Sequence, residues 1–372
     1  MRILSISNVP HDPGQGSGYV ITGYVDGLCK RGHTVEAYGP ADWRLADVHR
    51  ARRYLYPLMI AVFGLLHCRP RQYDLIELWG GHTWLLAIYL RWRAPGVPLV
   101  HHSNGIEQHR VQVQQESATG PIQNRRWFQW DVSRLYDWGL HAADAIVTVS
   151  SYDLPFLKER QYVPDDRLFA IENPLPDLFL DRDVQYDRPK RVGFCGSWIP
   201  VKNPPLLVND VSSFLRTHPD WTFSAVGVGD ADVVKEFPED VQEQVEVISC
   251  LEREDLVDWY HSLAVLTLPS VYESFGLVMA EAMACGAALV ATNVGFAHGL
   301  AHEKDALILP EAQPPHLAEA LDTLVENEAL RRRIARNGYE RVQDLRWEPA
   351  VDRLEDIYQT LIEEHSSSAI TT

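Results

Sequence analysis

The chain has 372 residues, of which 46% are hydrophobic and 23% charged, and a net charge of −17. That length predicts two domains, each able to bury its own core, and the acidity excludes a general nucleic-acid binder, which needs basic surface. Five scattered cysteines with no CxxC pair exclude a disulfide framework or zinc site and fit a reducing cytosol.

The amino terminus, "MRILSISNVPHDPG", runs from a strand into turn residues and does not read as a secretory leader, so a cytoplasmic location is expected. The loop "PGQGSG" follows, then a helix through "YVITGYVDGLCKRG" and the strand "HTVEAYG". The longest apolar run, Leu55 to Leu66, is too short to cross a bilayer and is flanked by Arg50, Arg52, Arg53, Arg69 and Arg71. It reads as a buried helix with solvated ends; the alternative is a helix lying on anionic lipid, giving peripheral contact with the inner membrane face. The strands "YDLIELW", "PLVHHS" and "DAIVTVS" complete a first series. Short apolar runs between helical stretches predict buried parallel strands. Trp127, Trp130 and Trp138, on the way to the last of these, read as core packing, with stacking on sugar as the alternative.

The stretch "ENPLPDLFLDRDVQYDRPK" is rich in Pro and Asp, lacks periodicity and reads as the domain boundary. A second series then runs through "RVGFCGS", "WTFSAVGVG", "VEVISC", "VLTLPS", "AALVATN" and "ALILPE". The expected division is 1–187, 188–348, and a carboxyl-terminal segment 349–372. Charge is uneven: residues 1–186 carry 19 Lys+Arg against 20 Asp+Glu, and residues 187–372 carry 15 against 31. In doubly wound sheets, ligands bind beyond the carboxyl ends of the strands.

At one such end, "VYESFGLVMAEAMACG" places Glu273 before a helix start and Glu281 inside a nearly apolar helix. Gly276 lets the backbone approach a ligand, and the free N–H groups at the helix start suit a phosphate. Eight helical residues span roughly 12 Å, the reach of a sugar nucleotide. Its diphosphate would sit at the helix start, with sugar hydroxyls on Glu273 and ribose hydroxyls on Glu281, since a carboxylate accepts two hydroxyl bonds. The alternatives are a loop or cap charge for Glu273 and a solvated position for Glu281. The neighbours Met279, Ala280, Ala282, Met283 and Ala284 leave little polar face for the latter.

"PSVYESFGLVMAEAMACGAALVATNVG" resembles the signature of the family 4 glycosyltransferases, with Glu273, Ser274, Phe275, Gly276, Glu281, Ala282, Met283, Ala284 and Gly286 on its pattern. The resemblance implies an α/β protein of the GT-B fold: two doubly wound, Rossmann-like domains facing a central cleft. It implies transfer of a sugar from a nucleotide diphosphate sugar to an acceptor hydroxyl with retention at the anomeric carbon, with no cofactor and no metal. Leu277 and Val278 fall at the donor helix start. In "FCGSWIPVKNP", Lys202 matches the lysine that binds the donor diphosphate, a charge suited to a departing phosphate; a surface lysine is the plain alternative. Ser197 stands where an arginine is common. Gly227 and Gly229 match a "G-x-G" strand end, or make a tight turn. The "DAD" of Asp230, Ala231 and Asp232 is read as coincidence with a metal-binding motif of another fold.

In the first domain, Gly16 and Gly18 resemble the loop facing acceptor and donor phosphates; a plain turn is the alternative, and the GxGxxG spacing is missing. Asn104 takes the place of a histidine usually found near the reacting sugar. Either Asn104 positions that sugar or His102 reaches in, and a hydrogen-bonded core role for His101 and His102 is equally open. "NVGFAHG" keeps Gly295, but Phe296 and Gly299 replace a glycine and a glutamate of the family pattern. "WEPAVDRLEDIYQTLIEE" resembles the helix that crosses back onto the first domain. The resemblance implies an acceptor among carbohydrates, lipid-linked glycans and small molecules, and the sequence leaves the choice open. A sugar-nucleotide epimerase and a non-catalytic sugar-nucleotide-binding protein are the competing readings.

Overall fold

A computed structural model describes residues 1–14, 16–43, 52–116, 126–229 and 232–370, with side chains throughout except within 52–54, 126–133 and 368–370. The strands are β1 Arg2–Ser7, β2 Thr34–Tyr38, β3 Leu75–Trp79, β4 Leu99–Ser103, β5 Ala145–Thr148, β6 Leu168–Ala170, β7 Arg191–Cys195, β8 Thr222–Val226, β9 Val245–Ile248, β10 Val265–Leu268, β11 Ala288–Thr292 and β12 Leu307–Leu309. They form two six-stranded sheets in the orders β2-β1-β3-β4-β5-β6 and β12-β11-β10-β7-β8-β9. Each pairing is parallel.

The chain forms two compact units. One holds the described residues within Met1–His109, Gln123–Pro174 and Trp347–Thr372; the other holds those within Arg110–Ile122 and Leu175–Arg346. The sequence expectation put the divisions at 187/188 and 348/349. The observed division at 174/175 falls inside the stretch 172–190 read as the boundary, and residues 175–190 belong to the second unit. Its helix Asp177–Leu180 buries Phe179 and Leu180, Phe179 packs edge-on to Tyr260, and Leu175 N–H donates to the Leu345 carbonyl at 2.8 Å. Arg346 closes the second unit on Asp177 and Asp181 at 3.1 and 2.8 Å.

In the first unit, the period of two in each strand sorts side chains onto two faces. Leu4, Ile6, Ile76 and Leu78 pack with Ile60, Leu86 and Leu90 on one face. Ile3, Leu75, Trp79 and Val100 pack on the other, with Val20, Ile21, Tyr24 and Leu28. The helix Trp347–Ile370 joins that second face through Val351, Leu354, Ile357, Tyr358 and Leu361, a helical stripe. It lies close to the helix Gly16–Lys30 because Gly23 and Gly27 carry no side chain: an added Cβ would fall 2.0 Å from Trp347 and 2.5 Å from Val351. Trp347 also donates to the Tyr19 hydroxyl at 2.7 Å.

The run Leu55–Leu66 lies in the helix Arg52–His67, and it is not buried as expected. Ile60 is fully covered, whereas Leu55, Leu58, Val62, Leu65 and Leu66 are exposed. Its apolar residues surround the helix, and one sheet face covers only one side of it.

The second unit buries Val192, Phe194, Phe223, Ala225, Val265, Leu266 and Leu268 in its sheet. Strand order reverses between β7 and β10: β8 and β9 continue on one side, β11 and β12 on the other. A crevice opens beyond the carboxyl ends of two strands at such a reversal, because their following connections diverge to opposite faces.

Candidate active site

The loops that leave β7 and β10 meet at this reversal. Val271 N–H donates to the Val201 carbonyl at 2.8 Å, fixing one loop against the other. The first loop carries Lys202 at the end of a short 3-10 turn, Pro200–Lys202; the second carries Glu273. The Lys202 ammonium meets Glu273 Oε1 at 2.5 Å, and the Ser270 hydroxyl donates to the same oxygen at 2.6 Å. Glu273 is 9% exposed. Two residues 71 apart in the chain thus form one charged pair at the crevice.

Beyond Glu273 the helix Leu277–Ala284 begins, and its N-cap, a glycine, offers no capping side chain. Its N-cap, Gly276, has φ +81°, a conformation that costs a Cβ-bearing residue roughly 1–2 kcal/mol. A Cβ there would also lie 2.5 Å from Met279 Cε. Gly295 sits against the same loop: a Cβ would fall 2.5 Å from the Phe275 carbonyl and 2.9 Å from Glu273 Cβ. Phe275 is buried and its ring packs on Phe296 at 5.1 Å, so the residue that replaces the family's second glycine holds the loop from below. Phe275 therefore offers a ligand its backbone rather than its ring. Ser274, Leu277 and Val278 are partly exposed around the helix start.

Glu281 lies one turn into this helix, on the side facing the helix Arg253–His261. The helix starts only at Leu277, so residues 273 to 281 do not form the continuous helix on which the 12 Å span was reckoned; Glu281 lies about 6 Å along the axis from Leu277. The Tyr260 hydroxyl donates to Glu281 Oε2 at 3.0 Å and also bonds the Cys195 thiol, at the end of β7. Burial pushes the Glu281 carboxyl up to about 7, against the opposing pull of the Tyr260 bond and the Arg253 charge. Burial likewise raises Cys195 to about 12 and holds Tyr260 well above its usual range. Both site carboxylates, Lys202 and the uncapped helix start thus surround one strand reversal.

Ser197 is exposed at the mouth of the β7 loop. Gly227 crosses beside Gly196, where an added Cβ would lie 3.5 Å from the Gly196 nitrogen. Asp230 and Ala231 lie outside the described residues, and Asp232 pairs with Lys235 on the surface.

In the first unit, Gly16 is exposed at a helix start. Gly18 is buried, and a Cβ there would fall 2.4 Å from the Asp12 carbonyl. Asn104 follows β4, and its Oδ1 is buried without a hydrogen-bond partner among the described residues. His102 does not reach into an open site. It is 2% exposed, stacks on Trp79 with centroids 4.0 Å apart and bonds the Tyr358 hydroxyl at 2.6 Å. Tyr358 in turn donates to Glu77, which also accepts from Trp79 at 3.1 Å. Burial drives His102 down to about 3, and the His101 charge adds to this; burial drives His101 to about 4. The two histidines are neutral members of the core. Trp138 is exposed and packs edge-on to Trp84; the side chains of Trp127 and Trp130 lie outside those described.

Residues 14–177 match Glycosyltransferase Family 4, and residues 189–327 match Glycosyl transferases group 1. The chain belongs to the family 4-like glycosyltransferases of the GT-B fold. Among its relatives, the D-inositol 3-phosphate glycosyltransferase of Corynebacterium glutamicum is 25% identical over 82% of this chain and 78% of that one. A second, from Catenulispora acidiphila, is 27% identical over 81% and 75%. Two solved structures share the fold. Sucrose-phosphate synthase from Thermosynechococcus elongatus superposes with TM-score 0.74 at 20% identity, covering 98% of this chain and 100% of that one. HepE from Anabaena, in complex with UDP, gives 0.68 at 17% identity over 97% and 100%.

The sequence reading of this glycosyltransferase missed Tyr260, which holds Glu281, and Ser270, which shares the Glu273 oxygen with Lys202. Ser270 closes "VLTLPS" and was legible as a strand end. Tyr260 sits on an apolar helical stripe with Leu256 and Val257, a pattern that reads as core.

Proposed function

We propose that this glycosyltransferase binds a nucleoside diphosphate sugar at the β7/β10 reversal and transfers the sugar to an acceptor hydroxyl with retention at the anomeric carbon. The observation that carries the reading is the Lys202–Glu273 pair beside an uncapped helix start. Lys202 is paired with Glu273. An arriving diphosphate competes for the ammonium and takes the N–H groups of the helix start. Glu273, released, accepts hydroxyl bonds from the transferring sugar; Glu281 accepts the two ribose hydroxyls.

The anomeric C–O bond then breaks with its electron pair passing to the phosphate, where Lys202 and the helix start stabilise the growing charge. The acceptor oxygen bonds to the same carbon on the same face. Its proton passes to a phosphate oxygen of the leaving group. Glu273, parted from Lys202 and still held by the Ser270 hydroxyl, serves this reaction as a positioning group rather than as a covalent nucleophile. Asn104 Oδ1, left unpaired at the end of β4, supports a hydroxyl-bearing acceptor on the first unit. The family match favours neither an epimerase nor a non-catalytic binder.

The UDP seen with HepE makes uridine donors the first to try. The test is a thermal-shift screen against UDP, GDP and ADP sugars, repeated with Glu281→Ala, followed by acceptor-dependent release of nucleotide and anomeric analysis of the product. The reading requires one nucleotide series to stabilise the wild type and not the variant. No stabilisation, equal stabilisation of both, or an inverted anomer overturns it in the part concerned.

A further inference from the structure

The helix Arg52–His67 carries apolar residues around its whole circumference, yet only one side is packed. Ile60 is fully buried, and Gly64 lies so close to Leu86 that an added Cβ would fall 2.6 Å from Cδ1. On the opposite side Leu55, Leu58, Val62, Leu65 and Leu66 all face solvent, Leu66 being 68% exposed. Their spacing of three, four and three residues makes one continuous stripe. The helix packed beside it, Trp84–Arg93, adds Ile88 and Trp92, four residues apart, with Trp92 78% exposed. Exposed apolar side chains scattered singly are ordinary; a stripe of this length with a neighbouring tryptophan is not.

The charge around the stripe is of one sign. Residues 48–106 contain seven arginines and no lysine, against two acids, Asp74 and Glu77, in a chain whose net charge is −17. Glu77 is fully buried in the core. Arg91 is held by Asp144 at 2.6 Å. Arg69, Arg71 and Arg93 are exposed and make no ion pair among the described residues. Among those residues no helix is long and apolar enough to cross a membrane.

We propose that this face of the first unit docks on an anionic lipid surface, the leucines and Trp92 entering the headgroup boundary and the arginines meeting lipid phosphates. An apolar stripe edged by arginine, with an exposed tryptophan, matches the two components of such binding: buried apolar area and attraction to anionic headgroups. A second copy of the chain fits less well, because its identical arginines would be brought against these. The residues of this face belong to the first unit and those of the donor site to the second.

The full chain is tested by co-sedimentation with phosphatidylcholine vesicles, alone or mixed with phosphatidylglycerol, at low and high salt. The wild type is expected to sediment with the mixed vesicles and to be released by salt. Leu58→Glu with Leu65→Glu, and separately Arg69→Glu with Arg71→Glu, are expected to weaken binding by ~10-fold or more. All these side chains are exposed, so melting temperature and donor binding should match the wild type; Trp92→Ala is the substitute for any variant that melts early. Three results overturn the proposal: no sedimentation, unchanged sedimentation of the variants, or a wild-type dimer in light scattering that these substitutions dissolve.

Discussion

Glu281→Gln separates the donor-site reading from a structural role, because it moves two quantities in opposite directions. In the free protein, burial raises this carboxyl from its usual value of 4.5 to about 7. Between those values the folded chain keeps a proton that the unfolded chain has released. Stability therefore falls as pH rises through the window and remains lowered above it. The penalty at pH 8 is on the order of 3 kcal/mol, from about 1.4 kcal/mol per pKa unit. Glutamine keeps the shape and the bond accepted from Tyr260 but carries no charge to desolvate. It should melt several degrees above the wild type at pH 8 and close to it near pH 5, taking about 2–4 °C per kcal/mol for units of this size. Nucleotide binding should move the other way. Glutamine exchanges two charge-assisted hydroxyl bonds, each worth roughly 1.5–3 kcal/mol, for neutral ones worth roughly 0.5–1.5, a loss of about 2–3 kcal/mol, so at pH 8, where the carboxylate is already ionised, nucleotide should bind about 30- to 150-fold more weakly. Scanning fluorimetry across pH, with and without nucleotide, reads both effects, and calorimetry gives the affinity. A variant that melts no higher at pH 8 and binds nucleotide within twofold of the wild type refutes the assignment.

In the wild type, ribose hydroxyls favour the ionised Glu281, so nucleotide binding near pH 7 should release a fraction of a proton and weaken as pH falls. Calorimetry in buffers of different ionisation heat measures that fraction, and zero would count against the contact. Lys202→Ala should abolish measurable transfer and destabilise the second unit by about 2–4 kcal/mol, because Glu273 loses its cation in a nearly buried setting. Adding Glu273→Gln should restore the melting temperature without restoring activity, a coupling that a double-mutant cycle reads directly. Gly276→Ala should cost ~1–2 kcal/mol in backbone strain and reduce donor affinity, and an unchanged nucleotide affinity would remove the helix start from the site. Tyr358→Phe removes the Tyr358 hydroxyl from the buried Glu77 and should destabilise the first unit by about 1–3 kcal/mol while donor binding in the second persists.

The sheets were legible because parallel strands buried on both faces are short apolar runs. Eleven of the twelve strands among the described residues coincide with such a run. β6, three residues at a sheet edge, carries too little pattern to register. The two carboxylates were legible because a charge in an apolar helix and a glutamate before a glycine turn each break the local expectation. Their partners were not. Lys202 and Glu273 stand 71 positions apart, and His102 and Tyr358 stand 256 apart, distances over which no local periodicity speaks. The division at 174/175 falls inside the stretch rich in Pro and Asp, 13 residues before 187/188, and Arg188, which donates to the carbonyls of His261 and Cys285, anchors the rest of that stretch to the second unit. The helix Arg52–His67 misled, since an all-apolar helix gives no local sign of which side will be covered.

The substitution of Ser197 for the family's arginine bears on how the donor is chosen. With Lys202 as the lysine at this strand reversal, and already paired with Glu273, a diphosphate gains the ammonium only by parting it from a carboxylate 2.5 Å away. A nucleoside diphosphate without sugar would leave Glu273 with the Ser270 hydroxyl as its remaining close donor, nearly buried and short of hydrogen bonds, an arrangement that costs on the order of 1–3 kcal/mol. A donor bearing its sugar supplies hydroxyls to Glu273 at the moment Lys202 turns away. On the proposed donor reading, the exchange costs the intact donor less than the spent one. A single lysine that trades partners can therefore favour the nucleotide sugar over its product, where a second fixed cation would hold both alike.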